Sequence, residues 1–128
     1  MKELTKAEEQ IMQVLWQIKK GFLKDIVDAM PDPKPAYPTV STVIRVLVKK
    51  KFIGHNTYGK VNESFPQVKK QEYFKRHMKR LVTDFFGNSW QGFASSFANS
   101  DLSLDDLEAI KNEIEVQIKK KQKWFSTS

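Results

Sequence analysis

A chain of 128 residues suits one compact domain, or a small domain with an oligomerisation element. Its 40% apolar and 29% charged residues supply a core and exclude wholesale disorder, and the lack of cysteine excludes disulfides and thiolate metal sites. No apolar run approaches a membrane span, Met1–Gln10 does not read as a secretory leader, and a formal charge of +7 favours anionic partners, so a cytoplasmic protein is expected.

The charge is uneven. Residues 1–66 carry 11 Lys/Arg against 7 Asp/Glu, and residues 67–100 carry 6 against 2. Residues 101–128 carry 5 against 6, so the positive excess lies in the first two segments. Nucleic acid or an anionic membrane would be drawn there, although a solvated basic surface would give the same totals.

The first helix should start at Thr5, because "TKAE" places Glu8 at the capping-box spacing. Ala7, Ile11, Val14, Leu15 and Ile18 then share a helical face, and Gly21 should end the element. Phe22, Leu23, Ile26, Val27 and Met30 repeat at helical spacing in a short second helix. "PDPKPAYP" follows and reads as a stiff loop.

"YPTVSTVIRVLVKKKFIG" is rich in β-branched residues and could be drawn as a strand. Its i, i+3, i+4, i+7 pattern and the proline start favour a helix. Val40, Val43, Ile44, Leu47 and the stem of Lys51 share one face, with Thr42, Arg45 and Lys49 opposite, flanked by Thr39 and Ser41. The period then changes: Phe52–Thr57 and Val61–Phe65 read as a hairpin about Tyr58–Gly59–Lys60.

From about Gln67 the helical period returns. Phe74, Met78, Leu81, Val82 and Phe85 form a stripe among many lysines and arginines, and "GNS" at 87–89 breaks the helix. Phe86, Trp90, Phe93 and Phe97 continue at spacings of four, three and four. A last helix should start near Ser103, carry the stripe Leu107, Ile110, Ile114 and Ile118, and end in a frayed "WFSTS" tail.

Three helices and a hairpin make a winged helix-turn-helix, whose second paired helix enters the major groove. The expected fold class is therefore mainly α with a small β-hairpin. Residues 1–66 form a winged helix-turn-helix DNA-binding domain, and 67–128 a helical dimerisation domain. Arg45 suits a bidentate pair with guanine, Thr39, Ser41 and Thr42 offer short polar groups, and Lys49 and Lys60 suit phosphates. An ordinary solvated face is the alternative reading of the same helix.

Phe85, Phe86, Trp90, Phe93 and Phe97 are too many aromatics for an appendage of about 50 residues to bury alone, so pairing of two chains is expected. An enzyme is not expected. The two histidines, His55 and His77, lie far apart, and no nucleophile–base pair or phosphate loop is present. The acidic group Asp101, Asp105, Asp106 and Glu108 lacks the glycine and closing glutamate of an EF-hand loop, so no metal or cofactor is expected. A winged-helix module for protein or RNA is the rival reading, and the basic helix at 69–80 is a weaker candidate for a membrane surface.

"LTKAEEQIMQVLW", "YPTVSTVIRVLVKKKFI" and "DLSLDDLEAI" resemble, in order, segments of the BlaI/MecI penicillinase-repressor family over roughly residues 3 to 121. The resemblance implies a dimeric repressor of an inverted-repeat operator, controlled by a membrane-bound metalloprotease sensor that causes cleavage in the dimerisation region. Three departures stand out. The family's copper-responsive branch has C-terminal cysteines, absent here. The family's Asn–Phe cleavage bond corresponds here to Ser96–Phe97 or Phe97–Ala98. Position 51 is lysine where the family commonly has glycine.

Overall fold

The computed structural model describes residues 3–127, with side chains through Trp124. In chain order it has α1 (Lys6–Ile18), α2 (Leu23–Asp28), α3 (Tyr37–Lys49), β1 (Ile53–Tyr58), β2 (Val61–Pro66), α4 (Lys70–Phe86), α5 (Trp90–Ser95), a 3-10 turn (Ser96–Asn99) and α6 (Leu104–Thr127). The strands form an antiparallel hairpin running from Ile53 opposite Pro66 to Tyr58 opposite Val61. Three helices and this hairpin give the winged helix-turn-helix, and the rest is helical. The chain separates into two compact units, one through Leu81 and one from Val82.

α1 begins as its capping box dictates. Glu8 N–H donates to Thr5 Oγ1 at 3.2 Å, and Thr5 N–H donates to Glu8 Oε1 at 2.8 Å. Its inward face is Ile11, Met12, Val14 and Leu15. Ala7 is exposed, contrary to the sequence pattern, and Met12 takes the expected place of an apolar contact in the core. The helix ends at Lys19, with φ of 76°, and not at Gly21. Gly21 instead exchanges two backbone hydrogen bonds with Ser64, at 3.0 and 2.8 Å, which ties α1's exit to the hairpin. A Cβ at Gly21 would meet Ile18 and Asp25 side chains at 2.9 and 3.0 Å, so the bridge needs glycine there.

α2 is capped by the Asp25 carboxylate, which accepts from Phe22 N–H at 2.9 Å. Lys34, in the proline-rich loop, donates to the Asp28 and Met30 carbonyls and so closes α2's C-terminus. α3 buries Val40, Ile44 and Leu47 against the same core. It ends in a Schellman motif: Phe52 N–H donates to Leu47 O at 2.9 Å and Lys51 N–H to Val48 O at 3.0 Å. Lys51 sits in that motif at φ 67° and is exposed, so its stem does not join the apolar face as expected.

The core continues past the hairpin. Tyr73 on α4 is buried, its hydroxyl accepts from Leu4 N–H at 3.1 Å, and its ring meets Phe52 edge-on at 5.8 Å. Trp16 Nε1 donates to Val68 O at 2.8 Å beside it. The first unit therefore runs on to Leu81, beyond the sequence division at Pro66. The stripe expected for α4 is split accordingly. Phe74 (60%) and Phe85 (75%) are exposed and Met78 is half-buried, while Tyr73, one position away from Phe74, faces the core.

In the second unit Gly87 and Asn88, at φ 56° and 68°, end α4, and Ser89 Oγ accepts from Gly92 N–H to start α5. Ser103 and Asp106 cap α6 reciprocally at 3.1 Å. α6 continues through Trp124 to Thr127 where a frayed tail was expected, and Ser128 lies outside the described residues.

One side chain locks α1 to the end of α3. The Glu8 carboxylate, buried, accepts from Lys50 Nζ at 2.7 and 2.8 Å. Burial opposes its ionisation. The hydrogen bonds from Lys50 and Thr5 and the Lys50 charge outweigh burial, and hold its carboxyl below the ordinary glutamate value. A depressed folded-state value stabilises the fold above the unfolded carboxyl's titration range, and that stabilisation is lost as pH falls through the folded value. Glu8→Gln should therefore flatten the acid limb of the stability–pH profile measured by urea unfolding. Glu8→Ala should cost roughly 2–3 kcal/mol at neutral pH, because it strands Lys50. Lys51→Gly should raise stability by about 0.5–1 kcal/mol, since a left-handed lysine costs more than the extra freedom glycine brings to the unfolded chain. A shifted urea midpoint at unchanged slope checks it.

Candidate nucleic-acid interface

α3 presents a face to solvent because its other face is fixed in the core. With Val40, Ile44 and Leu47 inward, the helical period turns Thr39, Thr42, Arg45 and Lys49 outward, and all four are exposed. Ser41 is half-buried at the edge of this face. The neighbouring Lys50 is not part of it, being held on Glu8.

The Thr42 hydroxyl is engaged within α3 itself. Its Oγ1 donates to the Pro38 carbonyl one turn back, at 2.9 Å. The proton is thus engaged within the helix, and the side chain turns out an acceptor lone pair and a methyl group.

The hairpin supplies the second side of the site. Gly59, at φ 62°, opens a two-residue turn between Tyr58 and Val61, the position where that turn class requires glycine. Lys60 follows at the tip and is exposed. The hairpin is held on α2 by an edge contact between the Tyr58 and Phe22 rings, 6.0 Å apart. At its base, Gly54 lies so close to the Phe65 ring that a Cβ would come within 2.6 Å.

Between α3 and the hairpin is an open cleft of about 530 Å³. Ser41, Arg45 and Lys60 line it, and so do Lys24, His55 and Asn62, which the sequence pattern did not assign to this face. Strand alternation could have found two of them. Asn62 and Ser64 share a face of β2, and His55 is the ladder partner of Ser64. Lys24 had no sequence signal beyond its charge. Apolar Phe22, Leu23, Ile44 and Val61 floor the cleft, and no carboxylate lines it.

Among the described residues, a few cations are engaged by carboxylates, and the exposed ones of α3 and the hairpin tip are among those that are not. Lys34 pairs with Asp32, Lys50 with Glu8, and Arg80 with Glu3. Arg45, Lys49 and Lys60 make no ion pair, so their charge is available to an incoming anion.

The second unit holds the remaining sequence candidates. Phe93 meets Phe86, Trp90 and Phe97 edge-on at 5.8, 6.0 and 5.2 Å, forming one aromatic cluster. Phe85 stands outside that cluster, exposed. On α6, Leu107 and Ile110 are half-buried and Ile114 and Ile118 exposed, and no side chain of α6 between 104 and 124 is buried. Ser96, Phe97 and Ala98 lie in the 3-10 turn, where Ser96 Oγ donates to Phe93 O at 2.6 Å.

Among the described residues no helix is long and apolar enough to cross a membrane, and no cluster of three or more His, Cys, Asp or Glu is placed to hold a metal. The sequence model of the family described as "Penicillinase repressor" matches residues 4–116. The chain is similar to the methicillin resistance regulatory protein MecI of Staphylococcus aureus (strain N315), 24% identical over 112 residues that cover 86% of this chain and 91% of the relative. The protein of the same name from Staphylococcus epidermidis shows the same identity and coverage, and that from Mammaliicoccus sciuri is 23% identical over the same shares.

Proposed function

We propose, from the premise that this chain belongs to the penicillinase repressor family, that it is a transcriptional repressor acting as a homodimer on an inverted-repeat operator in duplex DNA. It is a regulator and not an enzyme, and it acts in the cytoplasm. α3 enters the major groove, where Arg45 reads a guanine and Thr39, Ser41 and Thr42 line the contact. Lys49 and Lys60 hold phosphates on either side of it, joined by Lys24 in the cleft. The observation that carries this reading is the sorting of cations: those on the outward face of α3 and at the hairpin tip are unpaired, while Lys50 next to them is locked inward.

The dimer is formed through the second unit, from Val82 onward, a narrower segment than the 67–128 expected from the sequence. Phe85, Trp90, Ile114 and Ile118 are exposed in the single chain, and a helix of this length with no buried side chain between residues 104 and 124 calls for a partner. Phe86, Phe93 and Phe97 shape that surface from within, with Leu107 and Ile110. Two-fold pairing then sets two α3 helices about 34–36 Å apart, or a multiple of that distance. Relief follows from cleavage at Ser96–Phe97 or Phe97–Ala98, downstream of a membrane-bound metalloprotease sensor as the family likeness implies. Phe97 is anchored on Phe93, so the turn must unwind before a protease can seat it.

Titrating a duplex at several salt concentrations tests the DNA reading. Log affinity should fall linearly with log salt, at about −0.9 per phosphate neutralised. Lys60→Ala should weaken all sequences alike and reduce the slope by about one per protomer, whereas Arg45→Ala should relax base preference by about 1–3 kcal/mol at one position. Flat salt dependence, or preference for single-stranded RNA, would favour an interaction module instead. Phe85→Asp tests the dimer more cleanly than a change at Phe93, which would break the aromatic cluster itself. It should halve the sedimentation mass and weaken operator binding by about 100-fold or more, with the first unit still folded. An undiminished mass would remove the assigned interface.

A further inference from the structure

The outward face of α3 has a second row that the charge argument does not use. Residues 38, 42 and 46 follow one another at intervals of four along the exposed surface, beside the row 41, 45 and 49. The charged row carries Ser41, Arg45 and Lys49. The unused row carries Pro38, Thr42 and Val46, all exposed, Val46 by 39%. An exposed valine alone has no meaning. Here it continues a row whose middle member has turned its hydroxyl proton away.

We propose that this apolar row, Pro38–Thr42–Val46, reads thymine methyl groups in the major groove, so that each operator half-site carries a T·A pair beside the guanine taken by Arg45. The inference rests on the DNA-binding reading above and specifies which bases that site accepts. Its carrier is the bond from Thr42 Oγ1 to the Pro38 carbonyl at 2.9 Å. With the proton so engaged, Thr42 offers only a methyl and an acceptor. A T·A pair shows the complement in the major groove: the thymine C5-methyl and the adenine N6–H donor. A guanine edge shows two acceptors, N7 and O6, which would face the Thr42 lone pair without a proton between them. Arg45, one row over, has the donors that guanine needs. The two rows thus divide the groove by chemistry, one cationic for guanine and one apolar for thymine. Val46 extends the apolar contact by one turn toward the next base step.

The test uses the full chain and a duplex that it selects itself from a random-sequence pool. Each thymine of that duplex is replaced singly by deoxyuridine, which removes the methyl and nothing else. At one or two positions per half-site the dissociation constant should rise about fourfold, the effect of one methyl group no longer buried. Thr42→Ser keeps the hydroxyl and loses the methyl, and should no longer distinguish thymine from deoxyuridine at one of those positions. Val46→Ala should do the same at the neighbouring one. Thr42→Val, which keeps the methyl, should retain the discrimination. Binding that is indifferent to every deoxyuridine overturns the inference and leaves the repressor reading standing, as does a Thr42→Val protein that loses the discrimination. Failure to bind any duplex at low salt would remove both.

Discussion

The ion pair between Glu8 and Lys50 fixes how the rest of the first unit is arranged. It joins the first turn of α1 to the residue that caps α3, 42 positions along the chain. Because the same carboxylate also closes the α1 capping box, a local signal and a tertiary contact share one side chain. Anchoring Lys50 settles the roll of α3 at its C-terminal end. Once Lys50 points at Glu8 and Leu47 into the core, Arg45 and Lys49 can only face out. A buried pair of this kind is a weak source of net stability but a strong constraint on register, and register is what a reading helix requires.

The hairpin is held by equally specific means. It has only two strands, a number that is marginal by itself in water. The Gly21–Ser64 bridge supplies one pair of backbone bonds from outside, Gln67 N–H donates to Phe52 O at its base, and Tyr58 leans on Phe22 near its tip. Glycine at 21 leaves room for the bridge beside Ile18 and Asp25, and glycine at 54 leaves room for the Phe65 ring. The result is a lysine at the tip whose reach relative to Arg45 is fixed by packing and not by loop length alone.

What could be read from the sequence follows a clear physical line. Signals that act within one turn were legible: the Thr5 cap, the glycine of the hairpin turn, the helix break at residues 87–89, the Ser103 cap, and the helical period of α3. Contacts between distant segments were not. Tyr73 and Phe74 are adjacent aromatics on α4, and periodicity alone could not say which one would meet Phe52 and Leu4. Lys49, Lys50 and Lys51 looked alike, yet one is exposed on the outward face of α3, one is half-buried and paired with Glu8, and one holds a left-handed turn. The Schellman geometry at that last position favours glycine, and lysine adopts it at φ 67° under strain. For the site, the residue types and the outward row of α3 were visible in advance. The engaged hydroxyl of Thr42 and the part of Lys24, His55 and Asn62 in the cleft came only with the fold.

The two units solve opposite problems of surface. The first closes its own core, with Met12, Leu15, Ile26 and Leu47 fully buried, and leaves its unpaired charge facing out. The second closes only a small aromatic cluster about Phe93 and leaves large apolar side chains in water, Phe85 and Leu104 among them. Apolar area left exposed by a single chain is stabilisation held in reserve for association, at about 25 cal/mol per Å². In the proposed dimer the two activities are linked: pairing would cover the second unit, and a paired second unit would double the number of α3 faces offered to one duplex. Since two linked contacts bind far more tightly than one, loss of pairing would then weaken binding without touching the exposed face of α3. On that proposal the 3-10 turn at Ser96–Asn99, which carries Phe97 of the aromatic cluster and leads to α6, is the point where cleavage would act.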